Sequence, residues 1–398
     1  MKILVLHPNF PAQFKHLCRR LAENGHEVRF LCQTHYGRTI KGVERITLKN
    51  KSGHRELTNL NLAIFERGQK LGLQYRDGFL ELKRNGWDPD ITICHTGWGC
   101  GLYVREVWPR TKILSYLEWW FNPESDFFHY DKNNKMLNIN EKLIQKCWRR
   151  NQQVALELSA SDEIISPTNW QMSQLPDIFK HRCHVIFDGI DRQIFKPANK
   201  SRRKNIVTYG TRGMDPMRCF PQVIYEIVKI VESNKNIIVE IAGNDEVFYG
   251  TYPKDATWGR WAKKLLKEKD LQNQVRWMGH LAKGEYENWL KSSSCHIYTT
   301  HPFVASWSLV EAYCCGINII GSDIDAVKEI CTPSTGVTFC DHREYGEIAK
   351  SVLGILDSTT LEMSSEWWAQ ARELDRYDIE TSLEAWGHVA GVDLTTTN

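Results

Sequence analysis

HPFVASWSLVEAYCCGINIIGSDIDAVKE, residues 301–329, reads as a strand end, a short loop, a helix, a buried strand and a second loop. The loop is small and polar at Ala305, Ser306 and Ser308, which lets backbone N–H groups at the helix start face an anion. Glu311 falls one turn into the helix, where its carboxylate could reach a ligand hydroxyl. Cys315-Gly316 ends the helix, and Ile317 to Ile320 forms an apolar strand closing at Gly321-Ser322-Asp323. An anion-binding helix start beside a hydroxyl-binding carboxylate suits the diphosphate and ribose of a nucleotide sugar.

Outward from this segment, strands and helices alternate in both halves. Lys2 to Leu6 is an almost continuous apolar strand, as a central parallel strand should be. A helix follows from about Ala12, its inner face Phe14, Leu17, Cys18, Leu21 and Ala22, its outer face Lys15, Arg19 and Arg20. Glu27 to Cys32 completes a β-α-β opening. Asp90 to Cys94, Thr111 to Leu117, Glu163 to Ser166 and His184 to Phe187 read as further strands. Gly97 to Arg105 reads as the start of a helix, and Glu141 to Ser159 as a long amphipathic one. The second half repeats the alternation, with strands at Asn205 to Tyr209, Ile237 to Ala242, Val275 to Met278 and Cys295 to Tyr298. Helices are expected at Gln222 to Ser233, Trp258 to Glu268 and Tyr286 to Ser292, with a last helical stretch from Ser364 to Leu394. The polar stretch from Asp188 to Lys204, with its basic run Lys200 to Lys204, reads as a linker whose charges are solvated. The expected division is 1–187, a linker 188–204, 205–375, and a tail 376–398.

A net charge of +3 argues against nucleic acid as a partner. The twelve cysteines are scattered, with no CxxC or metal-like spacing, and several sit in apolar runs, so a reduced, cytoplasmic protein is expected. No run of about 18 apolar residues is present to span a bilayer, which leaves peripheral membrane contact open.

Strand Asn205 to Tyr209 leads into Gly210-Thr-Arg212-Gly213-Met-Asp-Pro-Met-Arg218, a loop whose two guanidinium groups offer donor forks to a diphosphate. Asn244 and His280 follow strands of the same half and could line a base pocket, since ligands of open α/β sheets sit at the carboxyl ends of strands. In the first half, His95 follows a buried strand and precedes Gly97, Trp98, Gly99 and Gly101. Glu118 ends another strand, where it could bind hydroxyls, support positive charge on a sugar, or pair with an arginine. The aromatic and acidic stretch from Trp119 and Trp120 to Asp131 could stack a sugar or pack over its own domain. Asn9 and Gln13, after the first strand, form a weaker polar site. Asp323-Ile-Asp325 and Asp88-Pro-Asp90 resemble a metal-binding DxD, yet both read equally well as strand-end or turn residues, and no metal is assigned.

The Arg212/Arg218 loop, the FVASWSLVEAYCCG segment and the IFDGIDRQIFKP junction together resemble GT-B glycosyltransferases of family four. The family's second glutamate matches Glu311; the first is replaced by Phe303, and a common second histidine by Glu118. The resemblance implies two Rossmann-like domains facing across a cleft, with the C-terminal helix returning to the first. It also implies transfer of a sugar, with retention of configuration and no metal or cofactor, from a nucleotide-diphosphate donor to a hydroxyl acceptor. On this reading Glu311, Gly213, Ser306, Trp307, Ser308, Asn244 and His280 bind the donor. Arg212, Arg218, His95 and Glu118 serve catalysis. Asn9, Gln13, Trp98, Trp119 and Trp120 meet the acceptor. Phe303 and Glu118 leave open a non-catalytic nucleotide-sugar-binding relative, and the fold also admits a sugar-nucleotide epimerase.

Overall fold

The computed structural model describes residues 1–48, 63–197, 205–254, 256–331, 336–357 and 372–395. The expected basic run Lys200 to Lys204 and residues 364–371 of the expected last helix lie outside the described residues. Two compact units emerge, one of residues 1–125, 141–189 and 376–398, the other of 126–140 and 190–375.

The first unit holds a parallel sheet of β1 (Lys2–Leu6), β2 (Glu27–Cys32), β3 (Val43–Thr47), β4 (Ile91–His95), β5 (Lys112–Tyr116), β6 (Glu163–Ser166) and β7 (Cys183–Val185). Its order is β3-β2-β1-β4-β5-β6-β7. Ile3 to Leu6 are fully buried because helices cover both faces of a central parallel strand. Chain direction across the sheet reverses between β1 and β4, the place where such sheets open a crevice at their carboxyl ends.

Leu17, Cys18 and Leu21 of the helix Lys15–Glu23 face this core, as their spacing requires. Arg20 does not take the expected outer face. It is buried, with Nη1 donating to the Leu394 carbonyl at 2.7 Å and Nη2 to Glu380 Oε1 at 2.7 Å. The reason is the C-terminal helix Ile379–Ala390, which covers that side and places Leu383, Trp386 and Val389 in the same core. Each such side chain contributes about 1.5–3 kcal/mol on burial. Asp378 caps the helix start, and Gly391, at φ 77°, ends it in the left-handed region open to glycine.

The second unit holds β8 (Ile206–Gly213), β9 (Ile238–Asn244), β10 (Val275–Gly279), β11 (Cys295–Tyr298), β12 (Asn318–Ser322) and β13 (Val337–Cys340). All are parallel, in the order β10-β9-β8-β11-β12-β13, with the reversal between β8 and β11. The apolar side of the helix Phe220–Ser233 packs on this sheet with Val239, Ile241 and Ile297.

The aromatic, acidic stretch of the first half is divided between the units. Residues 126–140 belong to the second, where Phe127 lies 5.2 Å from Phe303 between ring centroids. The Phe127 carbonyl is 2.8 Å from His301 Nε2, and the Arg343 guanidinium sits 4.1 Å over the Tyr130 ring. Trp119 and Trp120, expected at an acceptor, remain in the first unit and are buried. Trp120 is core, packed with Leu117, Val154, Leu158 and Phe179; an indole of such area gains most by leaving water. Residues 97–103 do not start a helix; only Val104–Val107 is helical.

Candidate functional site

In the second unit, the chemistry-bearing groups gather where β8 and β11 part. β8 continues past the expected Tyr209 to Gly213, and its pairing with β9 shifts register between Gly210 and Gly213. An irregularity of this kind re-aims side chains at a strand end. Arg212 is turned to solvent there, its guanidinium 4.3 Å over the Phe248 ring. Gly213 is required by crowding: a Cβ would lie 2.5 Å from Phe248 Cδ2 and 2.7 Å from the Glu246 carbonyl oxygen.

Asp215 opens a short turn, its Oδ1 accepting from the Arg218 amide at 3.1 Å. The Arg218 carbonyl accepts from Tyr209 Oη at 2.9 Å and Thr299 Oγ1 at 2.8 Å, so the backbone is tied down independently of its side chain. The half-buried guanidinium donates through Nη1 to Thr300 Oγ1 at 2.7 Å and Tyr298 Oη at 3.3 Å. Its side-chain hydrogen-bond partners among the described residues are thus neutral hydroxyls, while Asp215 acts on its charge electrostatically without an ion pair being formed.

Ser306 precedes the helix Trp307–Cys314 without capping it; its hydroxyl meets that of Ser308 at 2.7 Å. Trp307 is 45% exposed at the helix start. Glu311 is half-buried one turn on, and burial raises its carboxyl to about 7, offset in part by the Tyr286 hydroxyl and the charge of Lys283. Tyr286 interacts electrostatically with both Glu311 and Tyr298, and Tyr298 accepts from Arg218, so the carboxylate and the guanidinium belong to one cluster. Asn244 and His280 are exposed at the ends of β9 and β10. Phe303 is buried beside Phe127 and Tyr249, their ring centroids 5.2 and 5.5 Å away.

In the first unit a second cluster forms at the ends of β1, β4 and β5. His95 is buried, with Nδ1 2.8 Å from the Thr96 carbonyl and Nε2 3.7 Å from Glu118 Oε2. Burial works against its charged form, but Glu118, the Thr96 carbonyl and Glu157 together outweigh this and hold the imidazole above its ordinary range. The sequence offers Glu118 an arginine as its pairing partner, and the structure gives it this histidine instead; the carboxyl, though raised by burial, is lowered overall by His95. Gln13 Nε2 approaches His95 Nε2 at 3.4 Å, and Trp98, 47% exposed, lies 6.5 Å from it between centroids. Asn9 lies at the edge of this group, its Oδ1 accepting from Thr34 Oγ1 at 2.5 Å.

Sequence reasoning missed His7, whose ring is 5.0 Å from that of His95. Burial and the neighbouring His95 charge push His7 down to about 3, so it stays neutral, bonded to the Asn9 backbone. Its position directly after β1, like that of His95 at the end of β4, was the available signal. Tyr286, Lys283, Tyr298 and Thr300 were also missed, since hydroxyls and a lysine on ordinary helices and strand ends carry no motif.

Three of the four DxD-like aspartates are engaged elsewhere. Asp323 pairs with Lys328, Asp88 accepts from Trp108 Nε1 at 2.6 Å, and Asp90 from the Lys2 amide at 2.8 Å. Among the described residues no helix is long and apolar enough to cross a membrane.

Residues 24–195 match the family model "Glycosyl transferase family 4 group" and residues 191–374 the model "Glycosyl transferases group 1". No curated protein sequence matches the chain. Among solved structures, HepE of Anabaena in complex with UDP and glucose is 14% identical with a TM-score of 0.68, over 98% of this chain and 99% of that one. Sucrose-phosphate synthase of Thermosynechococcus elongatus is 12% identical with a TM-score of 0.66, over 98% of each chain. A glycosyltransferase of Rickettsia africae is 14% identical with a TM-score of 0.64, over 98% of this chain and 97% of that one. With two family models in tandem and two Rossmann-like units of matching topology, the chain belongs to the GT-B glycosyltransferases of family 4 type.

Proposed function

We propose that this glycosyltransferase moves a sugar from a nucleotide-diphosphate donor to a hydroxyl acceptor, with retention of configuration and without a metal. The observation that carries the donor site is Arg218, half-buried at the reversal of strand order with neutral hydroxyl partners. A guanidinium in that setting offers its donor fork to a diphosphate. HepE, of the same fold, binds UDP and glucose, which supports this reading.

In the proposed reaction Glu311 accepts hydrogen bonds from the ribose hydroxyls. As the glycosidic bond breaks, negative charge grows on the leaving diphosphate, and Arg212 and Arg218 stabilise it. The departing phosphate helps take the acceptor proton, as the family resemblance implies, so the attack occurs on the face the diphosphate leaves. His95, with its charge supported by Glu118, and Trp98 serve the sugar and acceptor side of the chemistry.

One observation favours a second reading. Phe303 stands where relatives carry a carboxylate and is packed with aromatic side chains, which would suit a nucleotide-sugar-binding relative without turnover. A thermal-shift panel of nucleoside diphosphates and nucleotide sugars, repeated with Arg212→Ala and Glu311→Ala, tests the donor site. Stabilisation by one nucleotide family that both substitutions abolish is expected; stabilisation that survives both would sink the assignment. Proton NMR of the product anomer from a broad acceptor panel, run with and without EDTA, then tests transfer, retention and metal independence. Donor binding with no product on any acceptor would favour the binding protein instead.

A further inference from the structure

Glu157 lies on the helix Glu141–Ala160, only 2% exposed, and the transfer chemistry proposed above does not use it. Its Oε2 accepts from the Gly97 amide at 2.7 Å and its Oε1 from the Gly101 amide at 3.2 Å. The glycine-rich loop after β4 therefore turns these amides inward, onto a carboxylate supplied by its own chain, rather than outward to a ligand.

The loop's glycines are shaped for this arrangement. Gly97 and Gly99 hold φ of 89° and 95°, in the left-handed region. A Cβ on Gly99 would lie 2.4 Å from the Gly68 carbonyl oxygen of the helix Ala63–Arg84, and one on Gly101 2.9 Å from Cys94 Sγ. So tight a loop leaves Glu157 as the group that satisfies its buried donors. Between those two amides sits Trp98, and the segment begins at His95, whose carbonyl also accepts from Cys100 Sγ at 3.8 Å.

We propose that Glu157 is a positioning residue: an internal anion that holds the 97–101 loop and thereby sets Trp98 and His95 in the first unit's cluster. The inference rests on the reading of that cluster as part of the transferase site. Burial raises the Glu157 carboxyl to about 7, with the Gly97 and Gly101 amides and the charge of His95 pulling it back. The titratable groups facing it are His95, Cys94 and Cys100, and burial pushes both thiols up, so they stay neutral through the neutral range.

The test uses the full chain labelled with 15N-glycine, 15N-tryptophan and ring-labelled histidine, followed by NMR between pH 5 and 9. In the wild type the Gly97 and Gly101 amide resonances should move together, with one midpoint near neutrality. In Glu157→Gln that shared transition should vanish, and the His95 midpoint should fall as the nearby negative charge is lost. The Trp98 indole resonance should shift as well. UDP or another nucleoside diphosphate that stabilises the wild type should stabilise the variant equally, because Arg218 and Glu311 are untouched. Where acceptor and product are in hand, kcat should fall about 10-fold or more with donor KM unchanged.

Gly97 and Gly101 amides that exchange with solvent as fast as open-loop glycines in the wild type would overturn the proposal, because the bonds to Glu157 would then be absent, and this measurement needs no variant to fold. A Glu157→Gln protein with unaltered His95 and Trp98 signals would overturn it too. Failure of every nucleotide to bind the wild type would instead count against the transferase reading, leaving the loop result to stand on its own.

Discussion

Replacing Arg218 with alanine separates a ligand-binding cation from a structural one. The backbone at this position is held by Tyr209 and Thr299 through its carbonyl and by Asp215 through its amide, and the substitution keeps all three bonds. Lost are the donations to Thr300 Oγ1 at 2.7 Å and Tyr298 Oη at 3.3 Å. Thr300 still donates to the His301 carbonyl at 3.0 Å, so it is not orphaned. At about 0.5–1.5 kcal/mol each the two bonds cost about 1–3 kcal/mol, and a half-buried cation no longer has to be desolvated, which offsets part of it. For a unit of this size the melting temperature should fall by no more than about 12 °C. Diphosphate binding should suffer far more. One charge-assisted contact is worth about 1.5–3 kcal/mol, or about 10- to 150-fold in Kd. If the same guanidinium stabilises the leaving group, kcat should drop by about 100- to 1000-fold. Isothermal titration with the nucleoside diphosphate that binds the parent, beside a thermal melt without ligand, measures both quantities. Arg218→Lys should fall between the two, keeping charge but losing the fork. A folded Arg218→Ala protein whose Kd stays within about threefold of the parent would refute the diphosphate assignment.

Glu311 yields a pH prediction. Its carboxyl is raised from 4.5 to about 7, so the folded chain holds more protons than the unfolded one across that window. Its contribution to stability therefore declines as pH rises from about 4.5 to 7, and the deficit persists above. Glu311→Gln should match the parent near pH 4.5 and unfold at higher urea than the parent at pH 8. Over pH 6 to 8, nucleotide affinity should rise in the parent and stay flat in the variant; a parallel rise would remove Glu311 from the ribose. Gly213→Ala should destabilise the second unit by about 1–3 kcal/mol, because the new Cβ meets the Glu246 carbonyl at 2.7 Å; an unchanged urea midpoint would contradict the close approach. Trp386→Ala should cost about 3–5 kcal/mol in the first unit's core. Chemical denaturation followed by circular dichroism should show its earliest transition advancing, whereas unaltered unfolding would mean the C-terminal helix does not stabilise that core.

By itself the sequence determined the elements whose side-chain periods are strongest. The strands Lys2–Leu6, Glu27–Cys32, Glu163–Ser166 and Cys295–Tyr298 and the helix Trp258–Glu268 were readable to the residue, because burial on a sheet or on one helical stripe leaves an apolar pattern in the chain. Alternation of the two types fixed a doubly wound class; strand ends marked where Arg212, Arg218, His95 and Glu118 should stand, and a helix start where Glu311 should. Tertiary structure alone decided their partners. His95 met Glu118 and His7 because β4, β5 and β1 are neighbours in the sheet, though nearly ninety residues separate the two histidines in the chain. Arg20 was claimed by the C-terminal helix, Trp120 by the core, and Phe127 and Tyr130 by the unit of the other half of the chain. Glu157, on the buried face of a helix, looked like any acidic residue until the amides of a distant loop were seen around it. Periodicity records only which face of an element leaves water. Which polar groups are carried under that cover, and what satisfies them there, depends on contacts between segments far apart in the chain.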